Sequence, residues 1–401
     1  MTVQYDVIII GGGIVGMATA MQIKQARPGL KLAVVDKEHK VAAHQTGNNS
    51  GVIHSGVYYK PGSLKATNCI KGYKDLVKFC EETGVPYEIC GKVIVATRPE
   101  QLPALEGIRE RGEANGLAGI KKLTRREIND HEPHVNGIAG LFVPQTGIVN
   151  YTAVTEKYAE KTMELDGELK LGERVLDIKS NGRRSTVITS RGHYDTQLVV
   201  NCAGLYSDKI ARMTRPDVNV RIVPFRGEYY ELKPDKHHLV KHLIYPVPDP
   251  SFPFLGVHFT RMIEGGIEAG PNAVLAFRRE GYKNTDLNFD ELRETLAWPG
   301  FRKVAAKFWR TGIGEIYRSF SKPAFTRALQ ELIPEVQEDD LVPGGAGVRA
   351  QACDKEGGLL DDFMILEDTR NVHVLNAPSP AATSSLSIGE TISRLALARF
   401  D

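Results

Sequence analysis

Long hydrophobic runs are missing from this chain of 401 residues. Nothing approaches the roughly 18 consecutive apolar residues that span a bilayer, and the first apolar stretch is broken by Asp6 and by the glycines at 11, 12 and 13. A basic leader is also lacking, so neither a signal peptide nor a spanning helix fits, and a chain that begins in the cytoplasm is expected. Cysteine is sparse. The five residues Cys69, Cys80, Cys90, Cys202 and Cys353 are odd in number and form no C-x-x-C pair, which argues against a disulfide scaffold and against a zinc cluster, so no metal is expected. Charge of one sign is not in excess: 51 Lys and Arg stand against 49 Asp and Glu, net +2, with no charged tail, and no field recruits nucleic acid as a partner. Internal repeats and low-complexity tracts are absent. The composition is that of a soluble globular protein too long for one ordinary core and suited to two domains.

What is present starts with the apolar strand Asp6-Val7-Ile8-Ile9-Ile10, running into Gly11-Gly12-Gly13-Ile14-Val15-Gly16, while a second strand from Lys31 to Val35 ends on Asp36. This order is that of a dinucleotide grip. Gly11 permits the tight turn, Gly13 lets backbone approach a pyrophosphate, and Gly16 lets the helix from Met17 to Ile23 lie close on the strand. The helix N-terminus offers unpaired N–H groups to phosphates, and Asp36, about twenty residues beyond Gly16, can accept both hydroxyls of an adenosine ribose. The stretch His44 to Gly56, rich in Gly, Ser and Asn and without period, reads as a backbone cradle for a ligand.

Further along, the spacing of Leu64, Cys69, Tyr73, Leu76 and Phe79 predicts a helix from Ser63 to about Gly84, followed by the strand Lys92–Ala96. Residues 99–135 read as helical and polar, a Pro- and Gly-containing passage covers 144–150, and a helix runs from about Thr152 to Asp166. A hairpin is expected around Asn181-Gly182, then a strand over Leu198–Asn201 ending in the small residues Cys202-Ala203-Gly204. Alternating strands fill 218–276, helices 283–330, and a strand, the small-residue loop 376–385 and a terminal helix from Ser387 complete the chain. The expected architecture is α/β in two domains: a Rossmann-like dinucleotide-binding domain built from 1–85, 146–215 and 340–401, and an inserted, largely antiparallel-sheet substrate domain from 86–145 and 216–339, capped by helices over 298–327.

The N-terminal grip, the strand ending in Asn-Cys-Ala-Gly and the Gly-Val-Arg strand before a small-residue loop resemble FAD enzymes of the D-amino-acid oxidase type. Three longer runs narrow the match: GVIHSGVYYKPGSLKA over 51–66, YPVPDPSFPFLGVHFTR over 245–261 with GPNAVLAFRREGY over 270–282, and NAPSPAATS over 376–384. These are similar to the L-2-hydroxyglutarate dehydrogenase family, also described as oxidases, over essentially the whole chain. The resemblance implies FAD, held by Lys37, Thr46, Ser50 and Gly51 at ribose and phosphates, by Val175 with Ala203 and Gly204 beside the adenine, and by Pro380, Ala381, Ala382 and Thr383 at the pyrimidine edge of the flavin. It implies oxidation of L-2-hydroxyglutarate to 2-oxoglutarate by hydride transfer to flavin N5, with electrons passed to a membrane quinone or to oxygen.

Such chemistry needs a base for the hydroxyl proton, and histidine is suited to it near neutral pH. His54, in the cradle, and His258, on the strand expected to floor the substrate cavity, are both candidates; a covalent flavin link is a further role for His54. Two carboxylates beside a flavin call for cations with good geometry. Arg349 occupies the position where enzymes of this type hold the α-carboxylate, and Arg226, Arg261 and Lys60, with the hydroxyls of Tyr59 and Tyr229, are candidates for the distal one. An oxidase of another 2-hydroxy or 2-amino acid, and a flavin-binding protein without turnover, are the competing readings.

Between Arg302 and Arg327 stand seven Lys or Arg and one acid, Glu315, interleaved with Phe308, Trp309, Ile313, Ile316, Tyr317 and Phe320. A basic amphipathic segment of this kind either lies in a membrane interface or caps the substrate domain as a solvated helix. With the resemblance, peripheral attachment to the cytoplasmic side of the inner membrane and contact with quinone are expected.

Overall fold

The computed structural model describes residues 3–249 and 256–400. The strand Val3–Ile10 lies at the centre of an eight-stranded sheet, parallel to Leu32–Asp36 on one side and to His193–Asn201 on the other. Its last residues are buried on both faces, which is why it reads as an unbroken apolar run and not as an alternating one. Glu168–Leu171 extends the sheet beyond Leu32–Asp36. The hairpin Val175–Asn181 and Arg184–Thr189 extends the other edge, and Asn371–Asn376 pairs in parallel with His193–Asn201.

Helix Ile14–Ala26 covers one face, wedged against Tyr151–Glu164 and Ser385–Leu397. Helix Leu64–Thr83 begins where the Ser63 hydroxyl accepts from the Ala66 N–H and ends at Gly84, whose φ of +72° is the left-handed stop. Asn150 caps Tyr151–Glu164 by the same means, accepting from the Thr152 and Ala153 N–H groups.

A nine-stranded sheet forms the second layer, in the order Val274–Leu275, Val220–Leu232, Ile267–Gly270, His258–Arg261, Leu243–Pro246, Lys92–Ala96, Ala139–Val143, Lys121–Thr124, with Leu341–Asp354 paired along Val220–Leu232. One of its pairings is parallel, Leu243–Pro246 with Lys92–Ala96. Helices Phe289–Ala297, Pro299–Phe320 and Lys322–Gln330 follow, the middle one kinked at Phe308. No helix of the described residues is long and apolar enough to cross a membrane.

Three expectations need correction. The polar stretch 99–135 is not helical throughout: Lys121–Thr124 is an edge strand held by Ala139–Val143, a local sequence overruled by its sheet partner. The passage 144–150 contains the strand Gly147–Val149, where the absence of a Cβ lets Glu88 of the neighbouring strand approach. Residues 341–354, expected with 340–401 in the dinucleotide-binding domain, belong by pairing to the second sheet. Residues 250–255 of the 245–261 run lie outside the described residues.

Candidate active site

A cavity of about 1020 Å³ opens between the two sheets. At one end is the glycine turn. Gly11 has φ +113°, and a Cβ there would stand 2.4 Å from the Cys202 carbonyl oxygen; one on Gly16 would stand 2.0 Å from the Gly11 carbonyl oxygen. Gly13, by contrast, faces open space apart from the Thr46 hydroxyl, as a residue bordering a ligand should. The Ile14 N–H donates to that hydroxyl at 3.1 Å. Asp36 sits at the end of its strand with one carboxylate oxygen accepting from the Gly12 N–H at 2.6 Å and the other from the Glu38 N–H at 2.8 Å. Each oxygen keeps a further lone pair for a ribose hydroxyl.

Val15, Ser50, Val175, Ala203 and Gly204 line the same cavity. Two expected residues act differently. Gly51 does not line the cavity but turns the cradle strand at φ +66° against Val149, whereas Gly16 serves the helix–strand contact expected of it. Lys37 lines the cavity, yet its ammonium is held by Glu280 at 2.6 Å, by His44 at 2.9 Å and by Glu38. Glu280 belongs to the 270–282 run, so this cluster ties that run to the cradle; burial pushes the Glu280 carboxyl up, but its contacts with His44 and Lys37 outweigh that and hold it down at about 2.

At the other end, Pro380, Ala381, Ala382 and Thr383 line the wall. The Thr383 hydroxyl is within 2.7 Å of the Tyr151 hydroxyl and accepts from the His54 N–H at 3.1 Å, so its side chain fixes the loop to the cradle. Gly72 permits the close approach of helix Leu64–Thr83, since a Cβ there would meet Ser384 Cα at 2.5 Å.

Both candidate histidines line this end. His258 stacks on Tyr245 with ring centroids 3.9 Å apart and its Nδ1 lies 2.9 Å from the Gly256 carbonyl oxygen, which fixes that nitrogen as the N–H and leaves Nε2 as the acceptor. Burial, reinforced by the charges of Lys92 and Arg349, pushes His258 down to about 3 despite the Gly256 bond. His54 is pushed down to about 3 as well, first by burial and then by Lys92 and His258. Both imidazoles are therefore neutral near pH 7, the form a base requires.

Arg349 faces the cavity from Leu341–Asp354, its strand brought against the cradle at Gly347, where a Cβ would stand 2.4 Å from the Asn48 carbonyl oxygen. Burial pushes the Tyr229 hydroxyl up, and the nearby Arg349 guanidinium opposes that push. Tyr59 and Tyr229 line the cavity too. The other cations expected for a distal carboxylate are elsewhere. Arg226 is buried and committed to Glu228 at 2.8 Å, to the Lys283 carbonyl at 3.0 Å and to Asn284; Arg261 forks onto Glu88 at 2.8 and 3.1 Å; Lys60 is exposed and outside the cavity lining. Sequence reasoning missed Gln45, which accepts from the Ala350 N–H at 2.9 Å, and also Tyr58, Lys65 and Tyr245 on the wall. Tyr58 and Lys65 stand inside the quoted 51–66 run, which was the signal available for them.

The family profile described as "FAD dependent oxidoreductase" matches residues 6–395. The chain is 62% identical over 397 residues to the L-2-hydroxyglutarate dehydrogenase of Indibacter alkaliphilus, covering 99% of this chain and all of that one. The chain belongs to the L-2-hydroxyglutarate dehydrogenase family of FAD-dependent oxidoreductases. Its relative in Escherichia coli K12, of the same description, is 44% identical over 97% of this chain and 92% of its own length. Among solved structures, the L-alpha-glycerophosphate oxidase of Mycoplasma pneumoniae with FAD bound has a TM-score of 0.80 at 23% identity, covering 98% of this chain and 94% of that one, and it establishes the fold. The cofactor is FAD, and the cradle fits it: glycines at the turn and at the first helical contact, an open helix N-terminus, an acid at the ribose position and small residues around the far wall.

Proposed function

We propose that this enzyme oxidises L-2-hydroxyglutarate to 2-oxoglutarate. The observation that carries the reading is the convergence, at the far end of an FAD cradle, of Arg349 and two histidines held neutral. Arg349 holds the α-carboxylate and Tyr229, on the same guanidinium, fixes its orientation. His258, with Nε2 free to accept, or His54, takes the hydroxyl proton as the Cα–H bond breaks and the carbonyl forms. When bound, FAD supplies the acceptor for the departing hydride. The substrate assignment draws on the identity to the dehydrogenases of that description. The test is anaerobic: FAD-loaded protein is mixed with L-2-hydroxyglutarate, its D enantiomer and small monocarboxylic hydroxy acids while flavin absorbance is followed. Bleaching by the L dicarboxylate alone is expected; bleaching by other acids instead would discard the substrate, and no bleaching at all would sink the assignment.

The division of labour between a dinucleotide-binding unit and a substrate unit stands within this same reading, as does a peripheral membrane contact with quinone as acceptor. Trp309, Ile313, Ile316, Tyr317 and Phe320 fall at helical spacing and all are exposed, Phe320 at 71% and Tyr317 at 59%. The segment's one acid, Glu315, is turned inward to accept from the Ala273 N–H at 3.0 Å and pairs with Arg318, while Arg302, Lys303, Lys307, Arg310 and Arg327 are exposed. An apolar stripe flanked by Lys and Arg suits the interface of an anionic bilayer.

A further inference from the structure

Removing Arg226 and Arg261 from the cavity leaves the proposed dicarboxylate one cation short. The Lys65 ammonium on the cavity wall is paired with Asp361 at 2.7 Å. Lys92, the first residue of its strand, is 1% exposed and stands behind the cavity lining, its ammonium 4.1 Å from the centre of the Tyr245 ring and 5.1 Å from that of Tyr58, both cavity-lining residues. No carboxylate stands against it among the described residues. The titratable groups around it are Cys69 from helix Leu64–Thr83, Cys90 just before its own strand, Tyr245 from the adjacent strand, Tyr58 and His54 from the cradle, and His258 from the strand beyond. Glu268, a half-buried acid of the same sheet, acts on Tyr229 and Tyr245. The Tyr58 hydroxyl is buried without a hydrogen-bond partner. A buried ammonium that faces only aromatic rings and no carboxylate, and a buried tyrosine hydroxyl without a partner, are both costly in a protein interior unless a ligand completes them.

We infer that Lys92 is the specificity-determining cation of this site, the charge that the second carboxylate of the substrate neutralises, with the Tyr58 hydroxyl donating to the same group. The inference rests on the dicarboxylate reading above and deepens it. A monocarboxylate leaves Lys92 unmatched, so discrimination by chain-end charge follows without any arginine fork. Burial also pulls the Lys92 ammonium down to about 7. Above that pH the free site is largely uncharged, and a bound dianion draws a proton onto it. The histidines, held far lower, do not contribute to that uptake.

The experiment uses the FAD-loaded enzyme and three forms, wild type, Lys92→Met and Lys92→Arg. kcat/KM for L-2-hydroxyglutarate is compared with that for L-2-hydroxybutyrate across pH, and binding of glutarate, which cannot be oxidised, is read from the flavin spectrum. Lys92→Met should lose on the order of 100-fold in its preference for the dicarboxylate, while Lys92→Arg keeps the preference and loses the decline above pH 7. Equal losses for both substrates in Lys92→Met would overturn the inference and mark the residue as structural. Proton uptake on glutarate binding at pH 8 is measured on the wild type alone, independent of whether a variant folds: most of one proton is expected, and none would overturn the inference. A wild type that binds glutarate with proton uptake yet does not bleach with L-2-hydroxyglutarate would sink the substrate reading and leave Lys92 standing.

Discussion

At the scale of single residues, the site works through groups whose charge is set by burial. His54 and His258 are neutral because a charged imidazole is poorly solvated where they stand, and the cations around them add to the penalty. The acid limb of kcat/KM should therefore fall well below pH 6, not near the ordinary histidine value of about 6.5, and a limb centred at 6.5 would contradict it. Replacing the base with glutamine should lower kcat by about 100- to 10,000-fold with FAD retained. His258→Gln is expected to show the larger loss because its tautomer is already fixed by Gly256, and stopped-flow bleaching of the two variants decides between them. Arg349→Met should raise KM for every 2-hydroxy acid, by about 2 kcal/mol or more in binding. A change confined to kcat would mean that Arg349 does not grip the α-carboxylate.

At the scale of elements, the structure depends on places where two backbones nearly touch. Gly16→Ala would drive a methyl group into the Gly11 carbonyl, so the purified variant should be colourless or insoluble, and normal FAD content would refute that role. The helix Pro299–Phe320 makes a different prediction: Trp309→Ser with Phe320→Ser should abolish sedimentation with anionic vesicles while leaving turnover with a soluble dye unchanged. Undiminished sedimentation would remove the apolar stripe from the account. This scale also shows what could be read from residues alone. Val3–Ile10, Ile14–Ala26 and Leu64–Thr83 declare themselves through local pattern, caps and glycines. Lys121–Thr124 does not, since its strand conformation comes from Ala139–Val143, and neither do the ion pairs that withdraw Arg226 and Arg261 from the cavity. Lys92 escaped notice because a lysine opening a strand reads as a surface residue until the rings of Tyr58 and Tyr245 close over it. The dinucleotide grip is short-range in sequence; the substrate end is assembled from segments more than 250 residues apart, and only the family resemblance pointed to it.

At the scale of the whole molecule, buried neutral histidines tie stability to pH. His373, pushed down to about 4 chiefly by burial, joins His54 and His258. Their folded values lie below the unfolded one, so the unfolded chain binds more protons, and the stability they support is full above about pH 6.5 and is lost as pH falls toward 4. The melting temperature should drop between pH 6.5 and 4.5, and His373→Gln should flatten part of the slope; a flat profile in the wild type would contradict the assignment.

The first sheet draws its strands from 3–36, from 168–201 and from 364–376. During synthesis, the strand that carries the glycine turn must wait for its neighbour at 193–201, and the loop that walls the far end of the cavity is made later still. A ribosome stalled before residue 371 should consequently carry a protein able neither to retain flavin nor to shield its apolar cleft from chaperones.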